Sequence, residues 1–189
     1  MRVISGSARG RTLKSPPLPR ASGRPGIRPT SDLVRGVIFD MLASMGASYD
    51  RVIDLYAGSG ALGIEALSRG DGTADFVEQD ADGVRTIRAN LALTGFDARA
   101  TVHQMPASAS TSRLRGPYTL VLADPPYYDT EALGTVAAVA SSGLVGPETV
   151  LVLEHHRRVQ APDVLGPLVL YRRRRHGDTV VSIYEQEAA

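Results

Sequence analysis

The stretch VIDLYAGSGALG, residues 52–63, constrains the fold most. An apolar, β-forming run stops at Gly58, Gly60 and Gly63, spaced G-x-G-x-x-G, and a helical pattern begins at once. A strand, a glycine loop and a helix in that order make a nucleotide-binding turn, because glycines let the backbone approach a ligand closely. A tight turn that binds nothing accounts poorly for the coincidence of all three. The same alternation continues downstream. ADFVEQD reads as a second strand, ADGVRTIRANLALTG as a helix closed by Gly95, ARATVHQM as a third strand and YTLVLAD as a fourth. TEALGTVAAVASSG is a helix and ETVLVLEHH a fifth strand, and two more strands flank a turn at His176-Gly177-Asp178. Strands alternating with helices predict a mostly parallel, seven-stranded sheet covered on both faces, ending in an antiparallel hairpin.

The region before this alternation is different in kind. MRVISGSARGRTLKSP predicts a short hairpin with Gly10 near its turn, and PPLPRASGRPGIRP reads as an extended, mobile loop. Thr30, Ser31 and Asp32 are candidate N-caps for a helix whose apolar positions run from Leu33 to Leu42. Charge divides at the same place. Residues 1–35 hold eight Lys/Arg and one acid, a charge of +7, and the remainder holds 13 basic and 19 acidic residues, a charge of −6. A basic arm on an acidic body suits a polyanionic partner; charge alone suits a solvated tail equally well. The expected division is a basic extension at 1–30 and a catalytic domain at 31–189.

The chain contains no cysteine among its 189 residues. Disulfides, thiolate metal sites and cysteine nucleophiles are therefore excluded. Its first residues lack the apolar core of a signal peptide, and no apolar run approaches membrane-spanning length, so the expectation is a cytoplasmic protein with no membrane association.

Asp54 bears on which nucleotide the glycine loop takes. An NAD(P) site holds a pyrophosphate on a bare helix N-terminus, and a nearby carboxylate would repel it. S-adenosylmethionine carries no phosphate; its ammonium and sulfonium groups gain from an acid at this position. Asp54 stands inside an apolar strand four residues before Gly58, where it needs a partner. Glu78, ending the second strand, sits where an acid accepts from ribose hydroxyls, and fits either cofactor. Asp80 is expected as a helix N-cap and Asp82 as a surface acid.

The fourth strand ends in Asp124-Pro125-Pro126-Tyr127, at the strand terminus where open α/β sheets place ligands. An exocyclic amine on a nucleobase is a poor nucleophile because its lone pair is delocalised into the ring. The Asp124 carboxylate and the Pro125 carbonyl would accept its two hydrogens and let the nitrogen pyramidalise. Two prolines fix the direction of that carbonyl, and Tyr127 would stack on the base. Taken alone, D-P-P is a weak signal that also fits a rigid turn; after a strand order that opened on V-I-D-L-Y-A-G-S-G it is a strong one.

With these residues in place, the sequence resembles the RsmD family of bacterial 16S ribosomal RNA guanine-N2 methyltransferases. RVISGSARGRTLKSP, RPTSDLVRGVIFDML, DLYAGSGALGIEALSRG, FVEQD and LADPPY look like that family's signatures in its order, over nearly the whole chain. The resemblance implies a Rossmann-like class I methyltransferase fold with a small basic N-terminal hairpin. It also implies S-adenosylmethionine as cofactor and a guanine of small-subunit RNA, within a ribonucleoprotein particle, as substrate. Asp54, Ala57, Gly58, Gly60, Glu78 and Gln79 would hold the cofactor, and Asp124 to Tyr127 the guanine amine. One departure concerns the adenine. Related enzymes often place an acid after the third strand to meet the adenine amine, whereas this chain reads HQMPASAS. Backbone at Met105 and Ala107, or Gln104, is expected there instead.

Arg2, Arg9, Arg11, Lys14, Arg20, Arg24 and Arg28 are the expected RNA contacts, giving affinity through phosphates without sequence choice. Arg35 is left between a phosphate contact and a buttress of the pocket. The run from Arg172 to Arg175 reads as a solvated strand edge. His103, His155, His156 and His176 show no metal-ligand spacing and are taken as structural or surface residues, and no metal is expected. Glu154 is read as an acid closing the fifth strand and capping the next helix or loop. The chain is expected to act as a monomer. The rival readings are a DNA adenine or cytosine amino-methyltransferase, an NAD-dependent oxidoreductase, and a non-catalytic RNA-binding assembly factor.

Overall fold

The computed structural model describes residues 1–17, 32–127 and 129–187. All seven expected strands form, joined by an eighth, into one sheet of order β3-β2-β1-β4-β5-β8-β7-β6. Its strands are β1 (Arg51–Asp54), β2 (Thr73–Glu78), β3 (Ala100–Gln104), β4 (Tyr118–Ala123), β5 (Val145–His156), β6 (Val164–Leu165), β7 (Leu168–His176) and β8 (Thr179–Glu185). The first five strands run parallel; β8 inserts antiparallel between β5 and β7. The unanticipated β6 is a two-residue strand paired to Leu168 and Val169.

Helices α1 (Asp32–Met45), α2 (Ala61–Arg69), α3 (Ala81–Thr94), α4 (Ser110–Arg113) and α5 (Ala132–Ala140) cover the sheet. The continuous apolar runs of the central strands reflect burial on both faces. Val52, Leu120, Leu122, Val150 and Val152 point into one core with side chains of α1, α2 and α3. Their neighbours Ile53, Val121, Leu151 and Leu153 point into a second core with Val136 and Val139 of α5. Alternate residues of one strand thus serve opposite layers. At full burial each such Val, Leu or Ile contributes about 1.5–3 kcal/mol.

Residues 1–17 belong to the first core. Val3, Ala8 and Leu13 are buried in it. Arg2 pairs with Thr12 in an antiparallel bridge, and Leu13 N–H donates to Met1 C=O at 3.0 Å, so the segment closes as the expected hairpin. Its outer edge lies on α2. Glu65, fully buried, accepts from Ile4 N–H (2.8 Å) and Ser5 N–H (3.0 Å), while Ser68 Oγ accepts from Ala8 N–H (3.0 Å). The loop expected beyond Pro17 and the candidate caps Thr30 and Ser31 lie outside the described residues, as do Arg20, Arg24 and Arg28.

Candidate active site

The glycine loop delivers the N-terminus of α2 to the end of β1. Gly60 adopts φ +80°, a left-handed conformation that a side chain would oppose, and is the residue preceding α2. Gly63 sits one turn into the helix, where an added Cβ would fall 2.4 Å from Phe76 Cε1 on β2. Only glycine lets α2 pack this closely on the strand below the loop.

Asp54 ends β1, is 1% exposed, and accepts from Gly63 N–H at 3.0 Å through Oδ2. Its Oδ1 is buried with no hydrogen-bond partner. Burial pushes the Asp54 carboxyl up to about 7, against the Gly63 bond and with help from the negative charges of Asp124 and Glu78. Glu78 ends β2, and its Oε2 accepts from Gly58 N–H at 2.8 Å and its Oε1 from Asp80 N–H at 2.7 Å. The acid therefore shapes the loop with its side chain. Ala57, just before the loop, is buried and donates its N–H to Val77 C=O (3.1 Å); Gln79 is exposed. Asp80 caps α3, accepting from Asp82 and Gly83 N–H, and Asp82 pairs with Arg85 on the surface.

On the adenine side, Met105 N–H is already committed to Glu78 C=O at 3.1 Å. Met105, buried in the second core, therefore has no free N–H to offer an adenine, contrary to the expectation. Ala107, buried, opens a short 3₁₀ turn over Ala107–Ala109 after Pro106.

Asp124 follows β4, next to β1. Leu122 of β4 is registered against Asp54, so Asp124 lies two residues past that level on the neighbouring strand and acts electrostatically on Asp54. Asp124 is half-buried and Pro125 buried, while Tyr127 is 45% exposed. Pro125, Pro126 and Tyr127 line a pocket with Leu133, Leu153 and His156. Tyr127 is held at its far end: its hydroxyl meets Thr179 Oγ1 at 2.7 Å, and its ring lies edge-on to His156 at 5.2 Å between centroids. Thr179 and His156 are contacts of this corner that sequence reasoning missed. They reach the pocket only because β8 lies against β5, pairing Thr179 with His156, and no local pattern announces that pairing. His155 also borders this pocket, but its ring is buried against Ser182 Oγ (3.0 Å), and burial lowers its pKa. A separate cavity of about 220 Å³, lined by Pro117, Thr119, Gly146 and Pro147, lies at the opposite strand ends, where open α/β sheets do not place ligands.

Away from the cleft, Arg35 is fully buried and faces the arm: its guanidinium bonds Arg2 C=O and Asp32 Oδ1 (2.9 Å) and approaches Glu65 Oε2 at 3.7 Å. It supports the N-terminal hairpin, and so is neither the phosphate contact nor the buttress of the pocket that the sequence suggested. Glu154 does not close the fifth strand; it lies inside β5, buried, registered against Val181. In the arginine run, Arg173 is committed to Ser182 Oγ (3.0 Å), Ala161 C=O (2.8 Å) and Asp163 (3.2 Å), while Arg174 and Arg175 are exposed. Among the described residues no cluster of three or more His, Asp or Glu could hold a metal ion, and no helix is long and apolar enough to cross a membrane.

The donor set fits S-adenosylmethionine. A buried, unsatisfied Asp54 oxygen suits an ammonium, and Asp54 with the negative charges of Asp124 and Glu78 acting on it opposes a pyrophosphate. A parallel sheet with one antiparallel strand inserted near its end, a glycine loop after β1 and an acidic Pro-Pro-Tyr corner after β4 define a Rossmann-like methyltransferase fold. The family model described as conserved hypothetical protein 95 matches residues 1–185. The chain belongs to this family, that of ribosomal RNA small subunit methyltransferase D. It is 36% identical to YlbH of Bacillus subtilis over 98% of this chain and 99% of the relative. It is 32% identical to ribosomal RNA small subunit methyltransferase D of Escherichia coli K12, over 100% and 91%. The solved structure of yhhF from Escherichia coli superposes with a TM-score of 0.81 at 30% identity, covering 100% of this chain and 99% of that one.

Proposed function

We propose that the chain is a 16S ribosomal RNA guanine-N2 methyltransferase dependent on S-adenosylmethionine. The observation that carries this reading is the pairing of Asp54, with its unsatisfied buried oxygen, and the Asp124–Tyr127 corner at adjacent strand ends. A relative of matching length bears the name ribosomal RNA small subunit methyltransferase D, which supports the substrate class.

Asp54 would take the cofactor's ammonium, Glu78 its ribose hydroxyls, and the backbone of Gly58 and Gly60 its amino-acid portion. Ala57, Met105 and Ala107 would wall the cofactor cleft, with Gln79 at its mouth. Bound there, the cofactor supplies an electrophilic methyl on a sulfonium. The chain's own residues prepare the nucleophile. Asp124 carboxylate and Pro125 C=O accept from the guanine NH2, and Pro126 stiffens the carbonyl that aims at it. Tyr127, anchored by Thr179, stacks on the base. Acceptors already in place would meet the positive charge that methylation puts on the nitrogen, and Asp124 or water would take the proton; the methyl–sulfur bond would be the one broken, leaving a neutral thioether.

Residues 1–30 act as the RNA-binding extension and 31–189 as the methyltransferase domain. Arg2, Arg9, Arg11 and Lys14 are exposed on the docked hairpin, and Arg20, Arg24 and Arg28 continue the same basic run. The protein acts in the cytoplasm as a monomer, on small-subunit particles. The test is incubation with labelled S-adenosylmethionine and a panel of unmethylated small subunits, naked 16S RNA and duplex DNA. Label in guanine of the subunit RNA is expected; label in DNA alone, or none, rejects the reading.

A further inference from the structure

Asn90, on α3, does something the catalytic account leaves unused. It is fully buried, and its single carboxamide holds two separate segments at once. Asn90 Oδ1 accepts from Lys14 N–H at 2.8 Å, and Nδ2 donates to Lys14 C=O at 3.0 Å. The second Nδ2 hydrogen goes to Ser59 C=O at 2.8 Å. Ser59 stands between Gly58 (φ +54°) and Gly60 (φ +80°), in the middle of the glycine loop. Lys14 is an exposed cation of the basic hairpin, one residue past buried Leu13.

A carboxamide has two donor hydrogens, and here both are spent on carbonyls from different segments. The arm touches the loop a second time, where Ser59 Oγ lies 3.8 Å from Met1 Sδ. The two flanking glycines tolerate many conformations; Glu78 holds the loop at Gly58 N–H (2.8 Å) and the loop's own Gly60 N–H to Ala57 C=O bond (2.6 Å) closes its turn, which leaves the carbonyl between the glycines to a group outside the loop. Asn90 fixes it, and does so with the group that seats the arm.

We infer that Asn90 is a positioning residue that couples RNA binding on the N-terminal hairpin to cofactor binding in the glycine loop. This rests on the proposed function, in which the hairpin binds RNA. RNA that orders the 11–14 edge favours the Asn90 rotamer that holds Ser59, so it favours the loop shape that receives the cofactor. Coupling of this kind is reciprocal: the cofactor must tighten RNA to the same degree.

The experiment measures S-adenosylhomocysteine affinity by calorimetry with and without unmethylated small subunits, for the wild type and Asn90→Asp. The substitution keeps the size and the acceptor for Lys14 N–H and removes both donors. Subunits should tighten wild-type binding by about fivefold or more, the lower range of measured couplings. In Asn90→Asp the ratio should fall towards one. A purely structural role would lower the melting temperature and leave the ratio intact, and that result overturns the inference. Should Asn90→Asp fail to fold, amide exchange in the wild type decides. S-adenosylhomocysteine alone should slow exchange at Lys14, and unchanged exchange there overturns the coupling. Subunit affinity is measured in parallel. Absence of wild-type subunit binding rejects the RNA-binding arm itself, whereas binding of both partners with a ratio of one rejects only the Asn90 bridge.

Discussion

Cofactor affinity should depend on pH through Asp54, and the size of the effect comes from its surroundings. The carboxyl is buried, raised to about 7, and has one oxygen without a partner. The charged form best matches an ammonium, so below that pKa binding must first remove a proton. At pH 6 roughly a tenth of the protein would carry the charge and at pH 8 roughly nine-tenths, so affinity should rise about tenfold, or about 1.4 kcal/mol, across that interval and then level off. The sign for stability is opposite. Between the ordinary carboxyl pKa and about 7 the folded protein holds the extra proton, so the cofactor-free protein loses stability as pH rises through that window, by an amount of order 4 kcal/mol. Calorimetry with S-adenosylhomocysteine at pH 6, 7 and 8, in buffers of different ionisation enthalpy, reads both affinity and released protons. Asp54→Asn should bind about 10- to 100-fold more weakly at pH 8, the worth of a charge-assisted bond, and show no pH slope. A wild-type affinity that is flat from pH 6 to 8, with no proton released, refutes the reasoning.

Glu65→Gln would remove the buried charge that faces Arg35 (3.7 Å) and Arg69 (2.9 Å) while Asp32 stays paired with Arg35; a loss of about 1.5–3 kcal/mol is expected, read as a lowered melting temperature. Gly63→Ala drives a methyl into Phe76 and should cost about 1–3 kcal/mol in urea unfolding. Thr179→Val removes the Tyr127 anchor and should lower methyl transfer several-fold, the worth of about 1 kcal/mol, with cofactor affinity unchanged by calorimetry. Neutralising Arg9 and Arg11 together should reduce the slope of log RNA affinity against log salt by about 2, in filter-binding titrations.

Features carried by neighbouring residues are legible from the sequence. The β1–loop–α2 unit, the Asp80 cap and the strand of Tyr118–Ala123 leading into the proline corner depend on local periodicity and short motifs. Other features depend on partners far along the chain. Glu65 on α2 carries no local sign of its burial, which comes with Ile4 and Ser5, some 60 residues earlier. Arg35 has two readings because a guanidinium in a helix says nothing of the carbonyl it will meet, here Arg2. Glu154 reads as a strand end, yet β5 continues two residues past it, stabilised by β8. Two-residue β6 has no pattern to detect; its ladder consists of Val164 and Leu165 against Val169 and Leu168. Within the candidate site, the acids and glycines are visible as a motif, whereas Thr179 and His156 enter through the antiparallel insertion of β8.

Nucleoside mass analysis of small-subunit RNA, after reaction with the wild type and with Asp124→Ala, bears most directly on how the amine is held. One N2-methylguanosine per particle with the wild type, and none with Asp124→Ala at retained S-adenosylhomocysteine affinity, is the predicted result. An unmodified guanine pool with the wild type, or equal methylation by both proteins, would contradict it.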